Sequence, residues 1–210
     1  ALNEGMAGKD WHLYTGVSYR HCLLWKNASQ SYPFMRPHDI LGRQIREYLP
    51  KEENGGEAFL QFQKKGYEIL KDHPVNQARK AKGLRPANSP WLWSPGGKPA
   101  LPSFTEKWGL RGAIISAVDL IKGIGICAGM QVIEVEGATG NYHTNYDGKA
   151  QAAISAYQDG ADFVYIHVEA PDECGHRGEV ENKVYSIEKI DQRILRPVYE
   201  YLLTSGEPFK

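Results

Sequence analysis

The chain has 210 residues, and its 25 acidic and 25 basic side chains cancel to a net charge of zero. This balance gives no electrostatic basis for binding nucleic acid or a membrane surface, and no apolar run approaches the length of a membrane span. The three cysteines are scattered and odd in number, which favours reduced thiols in a cytoplasmic protein over a disulfide framework.

The first part of the chain has an irregular pattern. Residues 11–24 predict a strand pair that turns at Thr15-Gly16, with Tyr19, Arg20 and His21 on the second strand. Residues 29–57 are polar and contain several prolines and glycines, which predicts a loop with one short helix near residues 40–48. Helical spacing of apolar residues then predicts helices over about 57–72 and 75–82.

From Trp91 onward, short apolar segments alternate with longer helical patterns. The predicted strands cover residues 91–93, 112–117, 131–135 and a run from 163, and the predicted helices cover about 119–128, 148–159 and 182–203. This alternation predicts βαβ units and a largely parallel sheet, which is an α/β fold. Loops that follow parallel strands emerge at one edge of the sheet. We therefore expect four groups to converge there: Gly96-Gly97-Lys98, Asp119 with Lys122, Thr139 with His143 to Asn145, and Asp172 with His176.

The segment after the last predicted strand is rich in side chains that bind metal ions. The apolar run from Phe163 to Glu169 leads into a turn in which Asp172 and His176 stand four residues apart, with Gly175 between them. A carboxylate and an imidazole together suit a divalent ion such as Mn²⁺ or Zn²⁺. The sequence thus predicts a metal site, and the alternative from these residues alone is a capped turn with a surface histidine.

The other predicted groups at this edge suit a phosphorylated substrate, because cations and hydroxyl groups bind phosphate oxygens. Each group also has a simpler interpretation. Gly96-Gly97 would form an ordinary turn and is not a Walker motif, Lys122 would be a solvated surface charge, and His143 would bond a nearby backbone carbonyl.

Several motifs resemble those of the archaeal-type cofactor-independent phosphoglycerate mutases, a family in the alkaline-phosphatase superfamily. The matching segments are 14–21 (YTGVSYRH), 37–40 (PHDI), 119–125 (DLIKGIG), 137–140 (GATG), 143–149 (HTNYDGK) and 169–176 (EAPDECGH). They occur in one order and extend over nearly the whole chain.

This resemblance implies an alkaline-phosphatase-like core with a smaller α/β capping domain. Residues 1–87 would form part of the cap and residues 88–210 the middle part of the core. The implied activity is the interconversion of 3-phosphoglycerate and 2-phosphoglycerate through a phosphoserine intermediate, with two divalent metals, Mn²⁺ or Zn²⁺. The resemblance assigns Asp172 and His176 as ligands of one of these metals.

The resemblance also implies a set of substrate-binding residues. These are Arg20, His21, His38 and Asp39 in the cap, and Lys122 in the core. Arg20 has the planar fork that grips a carboxylate or phosphate, and its alternative role is that of a strand-surface arginine.

No serine here matches the nucleophile of that family, and its remaining metal ligands are missing. We therefore expect an internal fragment of the enzyme that is inactive and metal-free by itself, and whose open sheet edge would promote self-association. Two other functions stay open from the sequence. One is a related phosphomutase or phosphate-ester hydrolase, and the other is a non-catalytic structural or interaction module.

Overall fold

The computed structural model describes residues 1–6 and 10–210, which form two compact units, residues 1–98 and 99–210. The expected boundary between cap and core, after residue 87, stays a prediction, as does the assignment of the first unit as a cap. All three cysteines are free thiols. Within the described residues, no helix is both long and apolar enough to cross a membrane.

The described residues of the first unit form a hairpin and three α-helices. These helices are α1 (Leu2–Gly5), α2 (Glu57–Leu70) and α3 (Pro74–Ala81). Strands β1 (Trp11–Thr15) and β2 (His21–Trp25) pair in antiparallel register, with Trp11 opposite Trp25. The predicted hairpin and the two predicted helices are confirmed. The placement of Arg20 on the second strand is wrong, because it lies in the turn before β2.

Aromatic packing between the hairpin and α2 forms the core of this unit. Phe59 and Phe62 on α2 are buried, and they meet the tryptophans of both strands. The ring centroids of Trp11 and Phe62 lie 4.9 Å apart and those of Trp25 and Phe59 lie 5.4 Å apart, both in edge-to-face geometry. Such pairs favour edge-to-face packing because the ring edge is positive and the ring face negative.

Two predictions in this unit are wrong. The region 29–57 contains three short 3₁₀ helices instead of one helix near 40–48, and they are Pro37–Ile40, Ile45–Tyr48 and Glu52–Asn54. Residues 91–93 form no strand, and the Trp91 indole Nε1–H donates a hydrogen bond to the Met35 carbonyl at 2.7 Å. Prolines at 90 and 95 flank this apolar segment, and a proline has no amide for a strand ladder.

The second unit contains the parallel sheet. Its strands are β3 (Gly112–Ile115), β4 (Gln131–Ile133) and β5 (Phe163–Ile166). Its helices are α4 (Phe104–Trp108), α5 (Asp119–Cys127), α6 (Tyr146–Gln158), α7 (Ala170–Arg177), α8 (Val180–Ile190) and α9 (Arg196–Ser205). The strand order is β4-β3-β5, with both pairings parallel, so the predicted α/β fold with a parallel sheet is confirmed.

The core of the second unit lies between the sheet and helices α6 and α9. All four residues of β3 are buried, as expected for the central strand. Ile115 packs with Ala150 and Ala153 of α6 and with Val198 of α9. Small alanines on α6 allow the helix to approach the sheet closely, so the residues at the carboxyl end of β3 lie beside the first turns of α6.

The predicted turn around Asp172 and His176 is a helix, α7. Pro171 lies in its first turn, where the missing amide costs no intrahelical bond, and Gly178 ends it with a left-handed φ of +69°. Gly175 is part of the helix instead of a bend. The predicted final helix also differs, since a π-helical turn (Asp191–Leu195) separates α8 from α9 just before Pro197.

Candidate functional site

The carboxyl ends of β3 and β5 bring polar residues together. Ile115 is paired with Ile166, and the His167 amide donates to the Ile115 carbonyl at 2.9 Å, so the pairing extends one residue beyond β5. Ser116 and His167 are therefore neighbours across the two strands. Ligand sites in open α/β sheets form at this edge.

A chain of side-chain hydrogen bonds links Ser116, His167 and Glu169. The Ser116 Oγ lies 3.2 Å from His167 Nδ1, and His167 Nε2 lies 3.1 Å from Glu169 Oε2. Because a carboxylate only accepts, the neutral imidazole carries its proton on Nε2, and Nδ1 accepts from the Ser116 hydroxyl. The Ser116 Oγ in turn accepts the Val118 amide at 3.0 Å. These bonds hold the imidazole in one orientation.

Lys149 is a buried cation beneath this chain of hydrogen bonds. It lies in the first turns of α6, is only 1% exposed, and donates from Nζ to the His167 carbonyl oxygen at 2.6 Å. Burial lowers the pKa of Lys149 from 10.5 to about 8, with Glu169 opposing the shift and Lys122 adding to it. The amine thus sits in a site of low polarity close to one anion and a second cation.

Lys122 projects from α5 and forms an ion pair with Glu134, with Nζ and Oε2 2.7 Å apart. The Lys122 side chain is mostly buried and its partner is exposed. The structure therefore does not show the fully solvated surface charge that was the simpler interpretation. It places Lys122 on a helix and close enough to Lys149 to influence its pKa.

The loop between β4 and α6 passes over Glu169. An added Cβ at Gly140 would lie 3.8 Å from Glu169 Cβ and Cγ. The loop is held by its own bonds, since the Thr139 amide donates to Thr144 Oγ1 at 2.9 Å and the Thr139 hydroxyl donates to the His143 carbonyl at 3.1 Å. Among the groups predicted to meet at one edge of the sheet, the 139–145 loop thus lies beside the carboxyl end of β5.

Helix α7 carries the predicted metal ligands on one face. Asp172 Oδ2 and His176 Nε2 lie 3.4 Å apart, one helical turn from each other, and their side chains are 68% and 46% exposed. The opposite side of the helix is anchored by Ala170 and Cys174, which are fully buried. This face presents a carboxylate oxygen and an imidazole nitrogen that fit two positions in the shell of a divalent ion.

The pair is only part of a metal shell. Across residues 1–6 and 10–210, no group of three or more His, Cys, Asp or Glu side chains is arranged to hold a metal ion. A structural zinc site uses four protein ligands and a catalytic one uses three. Asp172 and His176 would therefore need additional ligands.

The predicted substrate-binding residues of the first unit form two local groups. Near the hairpin turn, the Arg20 guanidinium stacks 4.5 Å from the Tyr19 ring centroid, and His21 Nδ1 accepts the Gly16 amide at 3.2 Å. In the first 3₁₀ helix, Asp39 Oδ2 accepts from Arg36 Nε at 2.8 Å. His38 lies beside Asp39 there, and its ring packs edge-on against Trp93.

The sequence motifs include Lys149 and Glu169, but they mark none of Ser116, Lys149, His167 and Glu169 as a site residue. One sequence signal does point to Lys149, because it falls on the buried face of α6. The buried residues of that helix are Tyr146, Lys149, Ala150, Ala153 and Ala156. A lysine at helical spacing among small apolar residues is unusual, since buried lysines need a specific partner.

Comparisons with known proteins extend over most of the chain. Residues 16–206 match the family model described as Metalloenzyme superfamily. A protein of Geobacter sulfurreducens named probable 2,3-bisphosphoglycerate-independent phosphoglycerate mutase is 48% identical over 93% of this chain and 49% of its own length. A Methanosarcina barkeri protein named 2,3-bisphosphoglycerate-independent phosphoglycerate mutase is 46% identical over 99% of this chain and 52% of its own length.

One solved structure is also similar to this chain in fold. The PH0037 protein from Pyrococcus horikoshii is 32% identical and superposes with a TM-score of 0.57, covering 73% of this chain and 40% of that protein. The chain spans about half the length of the curated relatives it matches. That share agrees with the prediction that the sequence corresponds to part of a longer protein.

Proposed function

Since the chain belongs to the Metalloenzyme superfamily, we propose that the protein carrying it is a cofactor-independent phosphoglycerate mutase. It would interconvert 3-phosphoglycerate and 2-phosphoglycerate through a phosphoserine, without free 2,3-bisphosphoglycerate. The observation that carries this proposal is the match to proteins named as such mutases over 93% and 99% of this chain. Of the segments that suggested the resemblance, 14–21 and 37–40 lie in the first unit, and 119–125, 137–140, 143–149 and 169–176 lie in the second.

In this proposal Asp172 and His176 supply two ligands to one of two divalent ions, Mn²⁺ or Zn²⁺. Their donor atoms lie 3.4 Å apart on the exposed face of α7, which supports joint binding of one ion. A bound divalent ion would offset negative charge on the transferring phosphoryl group. The remaining ligands and the nucleophilic serine would come from parts of the enzyme that match no residues here.

The proposed substrate contacts are Arg20, His21, His38, Asp39 and Lys122. Arg20 has a planar guanidinium that suits a carboxylate or a phosphate, and it lies just before β2. Lys122 would neutralise phosphoryl charge. Its partner Glu134 holds the amine at 2.7 Å and would orient it for that purpose.

We propose a cytoplasmic location, because the three cysteines of this chain are free thiols, which reducing compartments preserve. We also propose that the 210-residue chain by itself does not catalyse the reaction. Phosphoryl transfer would need a nucleophile and a complete metal shell, and the residues described offer two ligands on α7.

The test is an assay of isomer formation and phosphate release, with Mn²⁺ added to the full-length protein and, separately, to the 210-residue chain. We expect the full-length protein to interconvert the two phosphoglycerates and the chain to show no turnover. Asp172→Asn in the full-length protein should reduce turnover by at least about 100-fold, because an amide is a weaker metal ligand than a carboxylate. Asp159→Asn, at an exposed position after α6, is the matched control and should retain wild-type turnover.

Three results would contradict the proposal. Phosphate release without isomer formation would identify a phosphate-ester hydrolase. Absence of both reactions in the full-length protein would remove the catalytic proposal altogether. Turnover by the chain alone at the full-length rate would show that the missing ligands and nucleophile are not required.

A further inference from the structure

His167 connects three parts of the second unit through four polar groups. Its amide bonds to β3, its carbonyl oxygen accepts from Lys149, and its two ring nitrogens meet Ser116 and Glu169. The distances run from 2.6 to 3.2 Å. A residue bonded in this way cannot shift without breaking contacts to β3, α6 and the start of α7 at once.

Glu169 transmits this constraint to helix α7. Its carbonyl oxygen accepts the amides of Asp172 and Glu173, at 3.0 and 3.2 Å, and so forms the first turn of the helix. Its side chain is held by His167 Nε2. The first turn of α7 is therefore tied to the carboxyl ends of β3 and β5, and Asp172 belongs to that turn.

The Ser116–His167–Glu169 order superficially matches a nucleophilic triad, but burial argues against that role. Ser116 is 3% exposed, and its hydroxyl oxygen accepts the Val118 amide. A nucleophile must reach its substrate, whereas this oxygen points into the turn after β3. Lys149 is equally inaccessible. Ser116 and Lys149 can therefore act on a ligand only through the residues to which they are bonded.

We propose that His167, fixed by Ser116 and Lys149, is a positioning residue that sets α7 so that Asp172 and His176 bind the same metal ion. This inference rests on the proposed function, which assigns the two residues as ligands. Residues bonded to a metal ligand or to its supporting backbone tune metal affinity without touching the metal. Lys149 contributes to the positioning of His167, because a hydrogen bond from a charged amine to the His167 carbonyl is stronger in a buried site than in water.

The test measures Mn²⁺ affinity by calorimetric titration of the metal-free, full-length protein, alongside its Tm without metal. Lys149→Met keeps a long apolar stem and removes the amine, and His167→Ala removes both ring bonds. We expect each change to weaken Mn²⁺ binding by about 10- to 100-fold. The Tm of metal-free Lys149→Met should change little, because relief from burying the charged amine offsets the loss of its hydrogen bond to the His167 carbonyl.

Two further variants distinguish a positioning role of His167 from effects that any substitution in the second unit would have on Mn²⁺ affinity. His167→Gln retains one donor and one acceptor and should keep an affinity close to wild type. Lys107→Met, at an exposed lysine on α4, is the matched control and should leave the affinity unchanged.

The inference is wrong if Lys149→Met and His167→Ala bind Mn²⁺ as tightly as the wild type, a result that would leave the proposed function intact. It is also wrong if both variants lose affinity only in step with a lower metal-free Tm. A wild-type protein that binds no Mn²⁺ would instead remove the proposed metal site, and the positioning role with it.

Discussion

The buried amine of Lys149 makes stability depend on pH in a direction that is unusual for lysine. The side chain is 1% exposed at the start of α6, and burial outweighs the favourable charge of Glu169. Lys122 opposes the charged form as well. The folded protein therefore binds the Lys149 proton less tightly than the unfolded chain does.

The sign and size of the effect follow from the two pKa values. Between pH 8, the pKa in the folded protein, and pH 10.5, the ordinary value, the unfolded chain holds more protons than the folded protein. The free energy of unfolding consequently rises with pH in this window. A shift of this size corresponds to about 3 kcal/mol, so the charged amine costs the folded state about that much below pH 8.

Urea unfolding of the full-length protein from pH 7 to 10.5, with the metal removed by chelation, measures this effect. The difference in unfolding free energy between wild type and Lys149→Met should change by about 3 kcal/mol in favour of the wild type as the pH rises. Tyr146 and Tyr157, whose pKa values are raised by burial, are present in both proteins and cancel in the difference. A difference that stays constant over this range would refute the assignment of Lys149 as a buried, destabilised cation.

Two further predictions concern the stability of the first unit, and the control for one of them is a glycine of the second unit. Asn76→Ala removes three buried hydrogen bonds of 2.7–2.9 Å to backbone atoms before and after α3. It should therefore lower the free energy of unfolding, measured by urea titration, by about 3 kcal/mol. The control is Gln77→Ala at the neighbouring exposed position, which should lower this free energy by less than about 1 kcal/mol. An equal effect of both changes would contradict a specific role for Asn76. Gly66→Ala places a Cβ 2.5 Å from the Pro90 ring and should lower the Tm, because overpacking costs about 1–3 kcal/mol. Gly123→Ala, in helix α5, should raise the Tm, because the added Cβ has no atom within 4 Å beyond its chain neighbours and the backbone of its own helix. A rise in Tm for both glycine changes would show that the close approach to Pro90 is not tight.

Local patterns predicted most of the regular elements, and the errors have physical causes. Helix α2 was predicted because apolar residues recur at helical spacing, and strand β3 because its apolar run is flanked by turn signals. The segment 91–93 has strand-like composition but pairs with no strand among the residues that the structure describes, and its Trp91 indole bonds to a backbone carbonyl instead. Composition is local information, while strand pairing requires a second segment.

Helix α7 was mistaken for a turn although its end signals are present in the sequence. Pro171 occupies the first turn, where proline is tolerated, and Gly178 takes the left-handed conformation that ends helices. Gly175 lies inside the helix and so marks no bend. The correction changes the geometry of the predicted metal pair, because Asp172 and His176 are now one turn apart on a single helix face.

The sequence alone was enough to predict an α/β chain with a parallel sheet and the resemblance to one family of mutases, while the metal-binding role of Asp172 and His176 stays a prediction. Periodicity, end signals and motifs are properties of neighbouring residues, so they can be recognised without a structure. The arrangement around His167 is different in kind. Its partners Ser116 and Lys149 lie 51 and 18 residues away in the chain. Only the parallel pairing of β3 with β5, and the packing of α6 against the sheet, place those side chains within hydrogen-bond distance of one residue.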